Sequence, residues 1–430
     1  MLYSKNMDRN EAQNILNRGF THTIKDPLWQ NIPFTSELKV LLEEKDVQKL
    51  ARIKQNGPAY HIYPGAVHTR LSHSIGVYYL GREILLSLSR KSDNLPFTEK
   101  GIMSFLVACL LHDIGHFPYA HSLKELPLRE HEEIAGDMII NHPELKKAIE
   151  NTGADPLTVS SIIDKGMLTG DEETLLYRNI LSGTLDPDKL DYLSRDGFFS
   201  GVPYGKQDTD FIISSLSLNK SRLCLDKEAV SSVEQILFSK YMMYRTLYWH
   251  KGVRSATAMI KKAITIALKE KTILPEDLYG IDDNEFVLLA LSKKKKTEAL
   301  ELVEKVEHNI LLERKAEKDY ADNGKIERFS RSFEEKEKME NALYLKLKPQ
   351  YPELKEYEVI IDIPEPINFE SHIAVIDDDN QVKDISDSDM VFNCELSHLF
   401  QHSLRKVALY APEYVNKEDA KLALSKYLYE

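Results

Sequence analysis

The ten residues from His112 to His121 carry three imidazoles and one carboxylate, and they constrain the chain around them more than any other segment. The apolar run 105–111 leads into them as a helix, and Gly115 and Pro118 end that helix and turn the chain. Seven of the 14 histidines fall between His61 and His131. So dense a group suits the binding of a metal and work on a phosphate, and it places the chemistry in the first half of the chain.

One helix end cannot close a coordination shell. His73 lies near the predicted start of one helix, His112 and Asp113 at the end of another, and Asp188 in the first turn of a third, which Asp186 caps and Pro187 opens. A helical bundle can bring these four together. Two imidazoles and two carboxylates suit a divalent transition metal and leave positions open, with manganese, iron, nickel or zinc favoured over magnesium alone. The turn at Gly115 and Pro118 presents His116 and His121 to the same cavity.

Hydrophobic residues make up 42% of the chain and charged ones 29%, which excludes a disordered chain. With 68 acidic against 56 basic side chains the net charge is -12, so nucleic acid is not an expected partner. Any polyanionic substrate needs a local basic pocket. Cys109, Cys224 and Cys394 are far apart and odd in number, which fits buried thiols in a reducing, cytoplasmic compartment rather than a disulfide framework. Residues 1–20 lack a signal-peptide core, and no apolar run is long enough for a membrane span, so no membrane partner is expected.

At 430 residues the chain has room for two or three units. The expected fold is mainly α, with an N-terminal extension over 1–33 and a helical domain over 34–268. A charge-dense helical region over 269–349 and a smaller α+β region over 350–430 follow. Apolar residues recur at three- and four-residue spacing through 71–88, 102–111 and 134–140. The lysine run 293–296 and the alternating Glu and Lys around it predict solvated faces of long helices. Segments 358–363 and 372–376 predict strands, the second followed by a turn at 377–380 before 381–383. Residues 241–244 are expected to pack inside the bundle.

His73, the His112-Asp113 pair and Asp188 resemble the signature of the HD-domain metal-dependent phosphohydrolases. Within that superfamily four segments resemble the deoxynucleoside triphosphate triphosphohydrolases, a dGTPase-like family. They are Tyr63-Pro64-Gly65-Ala66, His68-Thr69-Arg70-Leu71-Ser72-His73-Ser74-Ile75-Gly76-Val77, residues 112–121, and Asp188-Lys189-Leu190-Asp191-Tyr192-Leu193-Ser194-Arg195-Asp196. The resemblance covers about residues 34–254 and implies an HD-domain helical bundle with His73, His112, Asp113 and Asp188 as metal ligands. It implies that His116, His121, His131 and Glu132 line the reaction site, with His121 or His131 managing the leaving group's proton. Arg70, Lys189 and Tyr192 are expected to hold phosphate oxygens. Asp196 and Gln55 are expected to receive the sugar 3'-hydroxyl, and Tyr248 to border the sugar or base.

His250 and Lys251 resemble positions of a second, regulatory nucleotide site, which implies an activating nucleotide and a homo-oligomer, tetramer or dimer. His68 is expected at the site or as a brace for its turn, and Arg195 as a structural partner of Asp191 or Asp196. Asn56 stands where relatives usually have leucine, Ala51 where guanine-activated relatives have arginine, and Glu43 where they have aspartate. Those departures leave sugar and activator selectivity open. The expected reaction is metal-dependent hydrolysis of a (deoxy)nucleoside triphosphate to nucleoside and tripolyphosphate. Two alternatives remain: an HD-type phosphodiesterase or phosphomonoesterase acting on nucleotides or single-stranded nucleic acid, and a non-catalytic nucleotide-sensing assembly.

Overall fold

The long helix Arg70–Lys91 is the axis of the protein in the computed structural model. Residues 7–429 are described, apart from 220, 321–325, 328, 330–331, 368, 370–372, 378, 380 and 386–393. Thr69 and Ser72 cap this helix reciprocally, each hydroxyl accepting from the other residue's backbone N–H. Apolar residues lie around most of its circumference, so it is buried along nearly its whole length rather than on one stripe.

Two helices packed on this axis carry the other ends of the expected site. Helix Glu99–Leu111 starts at Thr98, whose hydroxyl accepts from Gly101 N at 2.9 Å, and delivers His112 and Asp113 at its C-terminus. Helix Pro187–Ser200 starts at Asp186, which accepts from Lys189 N at 2.7 Å, and ends at Gly201, whose φ of +68° is the left-handed conformation that glycine tolerates. It reaches the axis closely because residue 76 is glycine. A Cβ there would overlap the Asp191 carboxylate and the Arg195 guanidinium. Helices Pro156–Ile163 and Glu172–Leu181 pack on the 99–111 helix, and His131–Asn141 packs on the former. Upstream, an antiparallel hairpin of His22–Asp26 and Gln30–Phe34 turns through Asp26, which accepts from Leu28 N and Trp29 N at 2.9 and 3.0 Å.

Two segments depart from the sequence expectation. Within the stretch read as helical, Leu216–Asn219 and Arg222–Asp226 form an antiparallel pair, and Ala374–Ile376 joins the second strand in parallel, with Val382–Asp384 at the edge. In the charge-dense region the helices Asp283–Lys293, Glu301–Glu307 and Phe333–Leu347 form, but Glu313–Asp319 is a strand antiparallel to Lys406–Ala411. Its composition favours helix. The apolar strand Lys406–Ala411 overrides that preference by completing a ladder that buries Ala316.

The strands expected in the C-terminal region are Ile360–Asp362, Ala374–Ile376 and Val382–Asp384. Position 372 and half of the 377–380 turn lie outside the described residues. Cys109 and Cys224 are buried free thiols, and the Cys394 side chain lies outside the described residues. Among the described residues no helix is long and apolar enough to cross a membrane.

One apolar cluster runs from Met7 to Tyr410 and so joins both halves of the chain. A second fills the space between Phe333–Leu347, Lys417–Tyr429 and the sheet of Glu313–Asp319, Lys406–Ala411 and Ile360–Asp362. An ion pair also ties the halves: Arg254, in helix Lys251–Lys269, donates from Nε and Nη2 to Asp362 at 2.8 and 2.5 Å. Burial works against the Asp362 carboxylate, yet Arg254 holds its pKa below the usual range. Substituting Asp362→Ala strands the guanidinium and is expected to cost about 3–5 kcal/mol in urea unfolding. A loss of only about 0–1 kcal/mol, the value of an exposed pair, contradicts this account.

Candidate metal centre and active-site cavity

Three helix ends meet over one point. His73 Nε2 lies 3.0 Å from Asp188 Oδ1, His112 Nε2 lies 3.9 Å from the same oxygen, and Asp113 Oδ1 lies 3.5 Å from His112 Nε2. His73, His112 and Asp188 therefore converge, and Asp113 stands beside them, with its Oδ1 3.1 Å from His116 Nε2 and grouped with His116 and His131. Donors each about 2.0–2.2 Å from one cation stand about 3–4 Å from one another. His73 is held by a contact of 2.7 Å between Nδ1 and Asp191 Oδ2, and His112 Nδ1 donates to the Cys109 carbonyl at 2.9 Å, so both rings turn Nε2 toward the shared point. His112 Nε2 is buried without a hydrogen-bond partner. That arrangement is costly unless the nitrogen binds a cation, and the donor set fits a divalent metal.

Behind the ligands lies a buried chain of charges. Asp191 accepts from Trp29 Nε1 at 2.5 Å and from Arg195 Nε and Nη2 at 2.8 and 2.9 Å, while Arg195 Nη1 donates to Asp26 at 2.8 Å. Of the two partners the sequence left open for Arg195, the structure selects Asp191. Burial disfavours a charged His73, but hydrogen bonds to Asp188 and Asp191 outweigh it and lift the imidazole to about 10. Lys49, missed in the sequence, is buried and donates to the Ile114 carbonyl at 3.1 Å, bracing the turn that follows the 99–111 helix. Burial takes its ammonium down to about 8.

The next turn is built on Gly115. A Cβ there would overlap the His131 carbonyl, so glycine lets the start of the 131–141 helix close on the turn. His131 stacks on His116 with ring centroids 3.8 Å apart, and His121 lies 4.8 Å from His116. Burial, reinforced by Arg70, pushes His116 well below its ordinary pKa, so the ring is neutral. Arg70 Nη1 donates to Asp113 Oδ2 at 2.5 Å and holds that carboxyl well down against the cost of burial. Glu132 lies 3.1 Å from His131 Nδ1.

A cavity of about 1150 Å³ opens over this centre. His121, His131, Glu132, Gln55, Arg70, Tyr192, Asp196 and Tyr248 line it together with the four ligands, as the sequence expected. Four expected residues are placed otherwise. His116 is buried behind His131, and the Lys189 ammonium is held by Asp186 and by the Gly183 carbonyl, away from the cavity wall. His250 and Lys251 also lie off the wall, where His250 Nδ1 accepts from Gly252 N at 3.2 Å and the Lys251 carbonyl accepts from Tyr410.

Asp196 is gripped on both oxygens, by His68 at 2.7 Å and by the Tyr248 hydroxyl at 2.6 Å, so His68 acts as a brace. Gln55 Oε1 and Asn56 Nδ2 are buried at the wall without partners, an acceptor and a donor free for a ligand. Sequence reasoning missed Tyr244 and Trp249. Tyr241 and Met243 pack inside as expected, but Tyr244 opens a π-helical turn, Tyr244–Tyr248, in which Trp249 N donates to the Tyr244 carbonyl at 2.9 Å. Tyr119 is also on the wall and holds a left-handed φ of +60°, a strained conformation for a bulky residue. Neither the π turn nor the strained tyrosine has a periodic signature.

Comparison with known proteins accords with this centre. The chain matches the HD domain over residues 70–194 and the HD associated region over 207–428, and it belongs to the HD-domain phosphohydrolases that carry this associated region. It is 28% identical to the protein MJ1154 of Methanocaldococcus jannaschii, over 92% of this chain and 80% of that one. It is 26% identical to the human deoxynucleoside triphosphate triphosphohydrolase SAMHD1 over 56% of this chain, a match that spans 44% of the human enzyme. A phosphohydrolase crystal structure from Bacteroides thetaiotaomicron shares the fold, with a TM-score of 0.70 at 22% identity over 91% of this chain and 100% of that one.

Because a metal must displace the His73 proton, apparent metal affinity is expected to rise from about pH 6 to 9, with proton release visible in calorimetry across buffers of different ionisation enthalpy. An affinity independent of pH opposes the bridged imidazolium. Asp191→Ala is expected to weaken metal binding about 10–100-fold in a chelator competition.

Proposed function

We propose that the protein hydrolyses (deoxy)nucleoside triphosphates to nucleoside and tripolyphosphate. The observation that carries this reading is the joint presence, in one cavity, of the His73, His112, Asp113 and Asp188 cluster, the Arg70 cation and the Asp196–Tyr248 pair. The triphosphohydrolase relatives support it, though the alignment spans less than half of the human enzyme. A divalent cation held by the four ligands supplies Lewis acidity at a phosphoryl oxygen.

The chain's own groups do the rest. Arg70 sits beside Asp113 and supplies positive charge to phosphate oxygens inside a protein of net charge -12. Tyr192 adds a hydroxyl on the same wall. Asp196, oriented by His68 and Tyr248, and the free Gln55 amide oxygen accept sugar hydroxyls. Water adds to the α-phosphorus, the bond to the 5'-oxygen breaks, and that oxygen leaves with a proton. His121 and His131 both line the cavity. Burial takes His121 down to about 3, so it is a neutral imidazole that takes the proton the attacking water gives up and passes it to the leaving oxygen, while His131 stacks on buried His116 and fixes its surroundings. Lys189 joins the phosphate contacts only by exchanging Asp186. His250 and Lys251 lie off the cavity wall, so a nucleotide bound there acts as an activator, through an oligomer if the copies share it.

The test is incubation of metal-loaded protein with each dNTP and NTP, alone and in pairs, with products resolved by ion-exchange chromatography. Nucleoside and tripolyphosphate are expected, and monophosphate or inorganic phosphate in their place rejects the reading in favour of a phosphomonoesterase or phosphodiesterase. Substituting Asp113→Ala is expected to abolish turnover. His121→Ala is expected to lower kcat about 10²–10⁴-fold with a smaller change in KM.

A further inference from the structure

Gln55 and Asn56 follow one another on the cavity wall, and Gln55 Oε1 and Asn56 Nδ2 are buried there without a hydrogen-bond partner. An acceptor and a donor so placed are the complement of one hydroxyl, which gives a single proton and accepts another. We propose, resting on the nucleotide reading of the cavity, that this pair grips the 2'-hydroxyl of a ribose while Asp196 takes the 3'-hydroxyl beside it. The protein then prefers ribonucleoside to deoxyribonucleoside triphosphates.

Two hydroxyls are needed because the acceptors outnumber the protons of one. Each Asp196 oxygen already receives a neighbour, from His68 at 2.7 Å and from Tyr248 at 2.6 Å, and keeps a free lone pair. A lone 3'-hydroxyl has one proton, so it serves either that carboxylate or the Gln55 oxygen and leaves the other unanswered. The two acceptors belong to the same end of the cavity: Gln55 N donates to the His68 carbonyl at 3.0 Å, and the ring of the same His68 holds Asp196. The backbone on either side of the pair is pinned as well. Lys54 N donates to Asp283 Oδ2 at 3.0 Å, and the Asn56 carbonyl accepts from Ala59 N at 3.1 Å, so the amides do not retreat to water. A buried amide left unpaired by a deoxysugar costs about 5–150-fold in specificity.

The experiment sets each NTP against its 2'-deoxy counterpart in an equimolar mixture with the metal-loaded full chain and reads by chromatography how fast each is consumed, whatever the products. Wild type is expected to consume the ribonucleotide about 5–150-fold faster, and Asn56→Ala and Asn56→Leu to bring the ratio toward unity. Because both substrates meet the same protein, the ratio is insensitive to how much of a variant folds. Equal consumption or faster loss of the deoxynucleotide by wild type, or a ratio that neither variant moves, overturns the sugar assignment and leaves nucleotide hydrolysis standing. Consumption of neither nucleotide overturns the nucleotide reading itself, and the sugar assignment with it.

Discussion

The buried contact between His73 and Asp191 is the interaction on which the rest of the site depends. Asp191 receives Arg195 and Trp29 as well as the imidazole, and Arg195 in turn reaches Asp26. Three elements are fixed by these charges: the axial helix, the helix that starts at Pro187, and the turn of the N-terminal hairpin. A pair of opposite charges in the interior is costly to desolvate, and it persists here because every oxygen and nearly every guanidinium nitrogen is occupied. The metal ligands inherit that rigidity. His73 cannot rotate without breaking the pair, and Asp188 lies one turn from Asp191 on the same helix.

The associated region does more than cover the first half. Its Glu365, Pro366 and Ile367 contribute to the cavity wall, and its Asp362 receives Arg254 from the helix that follows the π turn. The strand Ala374–Ile376 extends a sheet begun at Leu216–Asn219. Chemistry and enclosure are thus split along the sequence: the ligands come from residues 73–188, and part of the wall comes from residues nearly two hundred positions later.

What the sequence made legible was whatever is local and strongly typed. His73, His112, Asp113 and Asp188 could be placed because each sits at a helix end marked by a cap, a proline or a glycine, and a bundle has few ways to bring such ends together. Lys49 was invisible because a lysine in a short turn carries no sign that its ammonium will meet a carbonyl 65 residues on. Lys189 is expected at the phosphate only through the resemblance of the 188–196 segment, while Asp186, three residues earlier, holds its ammonium in the folded protein. Glu313–Asp319 was read as helix because its partner, Lys406–Ala411, lies almost a hundred residues away, and strand pairing at that range leaves no trace in local composition.

The wide turn at Tyr244–Tyr248 sets the direction in which the last side chains of its helix point. A π turn holds one residue more than an α turn, and each residue of a helix advances the side-chain direction by about 100°. Excising a single position there would restore regular winding and swing Tyr248 off Asp196. One inserted amino acid thus acts as the indexing tooth that keeps the Tyr248 hydroxyl in step with the carboxylate across the cavity.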